Sequence, residues 1–496
     1  MPWLTILAAL PLLGTALTAA LRGRARQMTG LAFALVTFGL AIWAVGQRSD
    51  LAEAHAWIPQ IGAFYALKMD GLSALLVLVG ALLVVVVLLA VRPDAPDGAD
   101  RSPFVPLALA LESLALFTFL ADDALLFFLF FEATLVPMYF LIGAGGGAKR
   151  SAAALKFLLY SLAGGLVLLG GIVYLAVAGH SLLFADLAGL VMTPGAQRVL
   201  FLVFFVSFAF KAPLVPLHPW LPDAVEQSRP AASVLLVGVL DGIGLYGMVR
   251  FCLGVTPQGA VWAGTAVAIV AVVTVLYGAL AAIASHSLLR MVAFTSISHA
   301  GFMVLGVFAF TTASLSGAMT YVGAHALSSA VLLLAAGWVV ERRGDTLAKG
   351  VFGGLAQRAP VLAGVFLLAG LATLALPGSA NFAAEFAIIV GSWARHPVLT
   401  AIALLGVLAA GVYVLWAYQR VFTGAAPVVD GIDGEDSPGN FETGDIKAPA
   451  RLAAALLLAG LLAFGVYPRP AQQLVADNAS QAMAQAQLSD PEPGGR

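Results

Sequence analysis

Long, nearly unbroken apolar runs alternate with short polar connections along the whole 496-residue chain. Runs of spanning length cover 2–21, 29–47, 71–91, 104–121, 124–143, 152–178, 198–217, 231–254, 261–284, 291–311, 315–340, 360–393, 398–418 and 451–467. A helix needs about 20 apolar residues to cross hydrocarbon. The pattern therefore predicts an all-α polytopic membrane protein with about fourteen transmembrane helices. The stretch 360–393 is too long for one regular span and predicts an interruption.

Composition sharpens the picture. Apolar residues make up 61% and charged residues 10%, and the mean hydropathy is +0.97, which excludes a soluble protein. Cys252 is the single cysteine, so the chain cannot supply the thiolates of an iron-sulfur cluster, a c-type haem attachment or an internal disulfide. No Gly-rich nucleotide fingerprint follows a strand, and no NAD, ATP or flavin site is expected. The run 1–21 lacks a basic leader and is followed by Arg22, Arg24 and Arg26, the order of a retained first span.

The net charge is -1, so its distribution says more than its sum. Sixteen of the 25 Lys and Arg residues fall in loops on one side, Lys149, Arg150, Arg290 and Arg420 among them. Seven fall on the other side, among them Arg198, Arg250 and Arg395. The positive-inside rule then puts both termini on the outer side of a cell membrane. The longest inner loop, 419–449, is acidic, with Asp430, Asp433, Glu435, Asp436, Glu442 and Asp445. The tail after Tyr467, rich in Gln, Ala, Pro and Gly, reads as a solvated end with at most a short surface helix before disorder.

A few ionisable residues remain inside spans, where each costs roughly 2.5–3.5 kcal/mol near a helix centre. They are Glu112, Glu132, Lys211, His299, His325 and Glu385. Carboxylates, a lysine and histidines spread over successive helices suit a proton relay, because each exists neutral or charged. Plainer readings stand beside this one: Glu132 and Lys211 as a structural ion pair, Glu112 as a brace, and the histidines as packed core residues.

Proline chemistry singles out two of these sites. Lys211 is followed by Pro213, Pro216 and Pro219, and Glu385 follows Pro377 and Gly378. Each proline removes a helical hydrogen bond, which is tolerated at membrane depth only where water or protein satisfies the freed carbonyl. Broken helices near Lys211-Pro213 and Pro377-Glu385 are expected. They fall in the seventh and twelfth spans, five apart, the spacing of two inverted five-helix repeats. The predicted division is helices 1–3 in residues 1–100, a first repeat in 101–255, a second in 256–420, and the acidic loop, last helix and tail in 421–496.

The segments FFEATLVPMYFLIG, FKAPLVPLHPWLPDA, RMVAFTSISHAGFMVLG and LPGSANFAAEF together resemble the antiporter-like, proton-translocating membrane subunits of respiratory complex I (NADH-quinone oxidoreductase), the subunit M branch in particular. The resemblance runs from about residue 70 to 425. It implies that Glu132 and Lys211 are the family's glutamate–lysine pair, that His299 and His325 are its central histidines, and that Glu385 is its exit-side carboxylate. It also implies that FMN, iron-sulfur clusters and quinone reside in partner subunits, with no cofactor or metal on this chain. The partners implied are neighbouring antiporter-like subunits and membrane lipid, with no nucleic acid.

The resemblance also has departures. The family carries a lysine in the eighth span where this chain reads VGVLDGIGLYGMVRF, with Gly242 at that place and Asp241 beside it as a possible substitute. SHSLLR after the ninth span and HPWLPDAVEQSRPAASV also differ from the family pattern. The leading expectation is proton translocation coupled to electron transfer from NADH to quinone in partner subunits. The alternatives are a subunit of an Mrp-type cation/proton antiporter, and a non-pumping structural paralogue in which Gly242 has removed a relay group.

Overall fold

The computed structural model describes residues 2–48, 51–91, 103–343, 347, 353–424 and 444–491. Most of the acidic loop, from Asp430 to Glu442, lies outside the described residues, as do Arg92, Arg101, Lys349 and Arg496. Among the described residues, twelve helices are long and apolar enough to cross a membrane, and Phe104–Leu120, Pro360–Thr373 and Ala380–Trp393 are shorter apolar helices. The helices coincide with the apolar runs of the sequence. Proline opens several of them, at Pro194, Pro230, Pro257, Pro360 and Pro397, a place where its missing N–H has no helical partner to lose.

Burial grades inward. Leu288–Phe308 and Thr312–Arg342 are 100% buried along their apolar windows, against 22% for Ala448–Val466. The central stretches of the two helices that carry His299 and His325 thus lie inside the bundle.

Both expected breaks are present. Pro194–Lys211 stops at Lys211, residues 212–219 are irregular, and Trp220–Gln227 resumes as a short helix. The Trp220 indole N–H donates to the Phe210 carbonyl at 2.9 Å and Thr274 Oγ1 accepts from the Val215 N–H at 3.2 Å, so protein groups satisfy part of the exposed backbone. In the second break, Pro360–Thr373 and Ala380–Trp393 are separate helices. Gly378 turns the chain at φ 97, a conformation that favours glycine, and Ser379 Oγ caps the second piece by accepting from the Phe382 N–H.

Two further irregularities lie beside the candidate residues. Ala124–Ala133 and Leu135–Gly143 are divided at Thr134, where Pro137 cannot donate to the Ala133 carbonyl. Within Pro230–Leu253, wide π-type turns at Leu236–Leu240 and Met248–Leu253 bracket the α-helical piece Asp241–Gly247. Such turns often mark functional positions.

One edge of the bundle carries elements that the polar pattern does not reveal. Ala52–Ile58 and Ala63–Lys68 pair as an antiparallel hairpin, turned at Gly62 with φ 65. The tail forms a 17-residue helix, Arg469–Gln485, that buries Val475, Ala479, Ala482 and Met483. Asn478 accepts from the Leu72 N–H and donates to Asp70. Arg250, placed in a loop by its charge, belongs to the last turn of its span, where Nη2 meets Asp70 Oδ2 at 2.5 Å and Nε donates to the Tyr246 hydroxyl at 2.9 Å.

Candidate functional site

The ionisable residues of the spans converge on a buried polar axis. Glu132 sits in the last turn before the Thr134 hitch, against the glycine face of Arg150–Ala178. A Cβ at Gly165 would collide with its carboxylate, so the absent side chain makes the room that the carboxylate occupies. Lys211 is only 1% exposed and closes its helix at the first break. Its ammonium lies 5.2 Å from the Phe131 ring centroid and 5.5 Å from that of Phe157, within range for attraction to the ring faces.

Glu132 and Lys211 do not form a closed ion pair. Among the described residues, Lys211 Nζ, Glu132 Oε1 and Asp241 Oδ1 are all enclosed without a hydrogen-bond partner. Lys211 nevertheless interacts electrostatically with both carboxylates, Glu132 and Asp241. Native interiors leave few buried polar groups unsatisfied, and three such atoms in one electrostatic group describe a site poised for exchange more than a structural clasp.

Beyond Lys211 a small cavity opens between Ala212, Pro213, Asp241, Gly242, Ser296 and His325, with room for about one water. His325 and His299 form the next link. They stand on different helices, both buried, and their Nδ1 atoms are 3.1 Å apart, so one ring must donate and the other accept. Ser329 Oγ lies 3.2 Å from His325 Nδ1, and the backbone of Thr373, at the end of the first half of the broken helix, hydrogen-bonds His299.

Tyr321 leads from the histidines to Glu385. Its ring centroid is 5.7 Å from that of His299, and its hydroxyl donates to Glu385 Oε2 at 3.4 Å. Tyr413 neighbours Glu385 electrostatically, and its hydroxyl has no hydrogen-bond partner. Asn381 Nδ2 donates to Ser328 Oγ at 2.9 Å, fixing the second half of the broken helix against the histidine-bearing helix. The structure thus brings together Glu132, Lys211, Asp241, His325, His299 and Glu385 in one succession of neighbours.

Comparison with known proteins shows the family. The family model for the transmembrane NADH:quinone oxidoreductase/Mrp antiporter proteins matches residues 121–411, which contain every residue of the axis. The chain belongs to this family. It is 37% identical to NADH-quinone oxidoreductase subunit M of Mycobacterium tuberculosis, over 99% of this chain and 96% of that protein. A chain of respiratory complex I from Thermus thermophilus superposes with a TM-score of 0.87 at 30% identity, covering 97% of this chain and 99% of that one. A chain of the Mrp complex from Dietzia shares the fold at 22% identity, with a TM-score of 0.84 and 97% of each chain covered.

Within this member of the quinone oxidoreductase/Mrp family, Glu112 stands apart. Both its carboxylate oxygens are buried without hydrogen-bond partners, in a separate small cavity lined by Gly80, Val84, Leu116, Phe119, Leu235 and Val239. Among the described residues, neither this cavity nor a hydrogen bond links it to Lys211. Near the first break, Asp223 forms a charge cluster that the loop pattern does not resolve: Lys156 Nζ lies at 2.6 Å and Arg290 Nη1 at 2.8 Å, and Arg290 also reaches Glu226 at 3.0 Å. Burial would raise the Asp223 carboxyl, but hydrogen bonds from Lys156 and Arg290 hold it below its ordinary value.

Tyr321 and Ser329 are functional neighbours that a reading of charges passes over. Their signal is spacing: Tyr321, His325 and Ser329 recur every four residues and so share one helix face. Among the described residues, no group of three or more His, Cys, Asp and Glu side chains is placed to hold a metal ion.

Proposed function

We propose that this chain is the proton-translocating membrane subunit of a complex I-type NADH-quinone oxidoreductase, in which protons cross the membrane while partner subunits pass electrons from NADH to quinone. The buried succession from Glu132 through Lys211 and the His299–His325 contact to Glu385 carries the reading. The identity to subunit M of Mycobacterium tuberculosis supports the assignment to that complex. FMN, iron-sulfur clusters and quinone belong to the partner subunits. The neighbours are other antiporter-like subunits and membrane lipid.

In this reading Glu132, Lys211, His299, His325 and Glu385 form the relay. Separating Lys211 from Glu132 makes its buried ammonium a better proton donor, and the proton moves through the histidine pair toward Glu385. The helix Phe104–Leu120 and the broken pair Pro360–Thr373 and Ala380–Trp393 complete fourteen spans. Residues 1–100 supply three leading helices, 101–255 and 256–420 form two inverted repeats with one broken helix each, and 421–496 follow as loop, last helix and tail. The chain is a multi-pass protein of the bacterial plasma membrane, with both termini on the outer side.

The fold shared with the Mrp complex supports a second reading, a cation/proton antiporter subunit, and Gly242 supports a non-pumping paralogue. One experiment separates them: NADH-driven proton uptake and quinone reduction in inverted membrane vesicles bearing wild type or Lys211→Met. Loss of pumping with the complex assembled supports the proposal. Unchanged pumping by an assembled Lys211→Met complex overturns it, and sodium-dependent proton exchange in the same vesicles then tests antiport.

A further inference from the structure

We propose that Asp241 is a proton carrier that joins Lys211 to the histidine pair through the cavity between them. This deepens the translocation reading above and rests on it. Asp241 starts the short α-helical piece between two π-type stretches, where the backbone departs from the regular helical register on both sides. Its Oδ1 is enclosed with no hydrogen-bond partner. A carboxylate that merely braced a helix would be hydrogen-bonded, because an unsatisfied buried acceptor is destabilising.

The surroundings of Asp241 supply a donor on one side and an acceptor on the other. Lys211 is its electrostatic partner, and Lys211 Nζ has no hydrogen-bond partner of its own. The cavity that Asp241 lines also touches Ala212 and Pro213, at the break directly after Lys211, and extends to Ser296 and His325. Gly242 forms part of its wall. A Cβ there would stand 3.1 Å from Val322 Cγ1, so the glycine keeps the space open.

The transfer balances in two steps. An N–H bond of the Lys211 ammonium breaks as an O–H bond forms on Asp241, leaving a neutral amine and a carboxylic acid. That O–H bond then breaks as a water in the cavity passes a proton to a ring nitrogen of His325. The products are the Asp241 carboxylate and an imidazolium, ready to share its proton with His299. Lys211 recovers its proton from the Glu132 side.

The test uses the assembled complex in inverted vesicles and reads protons pumped per NADH oxidised, normalised to the amount of complex. Asp241→Asn and Asp241→Ser are expected to lower this ratio by about tenfold or more, the scale on which a positioned proton-transfer group contributes, and Asp241→Glu is expected to restore most of it. A structural role would instead reduce the amount of complex and leave the ratio intact. A wild-type ratio in both carboxyl-free variants, with Lys211→Met inactive, overturns the role of Asp241 alone; a wild-type ratio in Lys211→Met overturns the translocation reading itself. A readout free of substitution is the carboxylic C=O infrared band of isotope-labelled aspartate, which changes on energisation if Asp241 carries the proton. A flat band overturns the proposal.

Discussion

His299 and His325 approach Nδ1 to Nδ1 at 3.1 Å, from two helices whose central apolar stretches are buried inside the bundle. Because only one of the facing nitrogens can hold the shared hydrogen, the pair works as a single switchable element. Replacing either ring by Gln keeps polarity but removes the titration. His299→Gln and His325→Gln are each expected to lower protons pumped per NADH oxidised by about tenfold or more, and combining them should add little, since they belong to one link. Vesicle pumping assays on the two single variants and the double variant check this.

Lys211→Met tests the buried charge group of Lys211, Glu132 and Asp241. The methionine is similar in volume and removes an ammonium that is 1% exposed and has no hydrogen-bond partner. Removing one member of a buried charge group costs about 3–5 kcal/mol when its partners stay charged, and less if Glu132 and Asp241 take up protons in its absence. The Tm of the subunit within the solubilised complex is expected to fall, while pumping by the assembled complex is lost. A fall in Tm with pumping retained would mean that the lysine is chiefly structural.

Gly165→Ala tests the berth of Glu132. The added methyl group would meet the Glu132 carboxylate, and overpacking of this kind costs about 1–3 kcal/mol. A smaller pumping ratio together with a lower Tm is expected. Gly170→Ala, on the same helix with open space around its Cβ position, should change neither.

The edge network around Asp70 should be acid-labile. Burial alone would raise the Asp70 carboxyl, but the Arg250 guanidinium and the hydrogen bonds from Ser73 and Asn478 hold it below its ordinary value. A carboxyl whose folded value is depressed stabilises the fold above the unfolded value of about 3.9, and the contribution disappears as pH falls through the folded value. Proteolysis of the Arg469–Gln485 helix is therefore expected to accelerate below about pH 4 in wild type. Asp70→Asn should make it faster at neutral pH, with a loss of about 1–3 kcal/mol, and flatten its acid dependence. Proteolysis time courses at several pH values read both effects.

The membrane spans and both broken helices are legible in the sequence because apolar length and proline chemistry act locally. The ionisable residues are legible because a charge inside a span is expensive enough to demand a reason. What escapes is set by tertiary contact. Arg250 reads as a loop cation until Asp70, far earlier in the chain, is seen against it, and the tail helix reads as solvated until Asn478 meets Leu72 and Asp70. The wide turns around Asp241 leave no apolar signature at all. The open geometry of Lys211 between two carboxylates is likewise a property of packing, since the residue types alone fit a closed ion pair equally well.

The burial of the central apolar stretches of Leu288–Phe308 and Thr312–Arg342 has an electrical consequence. The outer helices act as an insulating sheath, so a charge on the histidine pair is shielded from the bilayer on its flanks and can exchange only along the axis. If the two broken helices admit water toward that axis from opposite faces, the membrane voltage falls over the short stretch between them. Moving each proton against that voltage then takes about 2.3 kcal/mol per 100 mV, spent within a few side chains that include the His299–His325 contact.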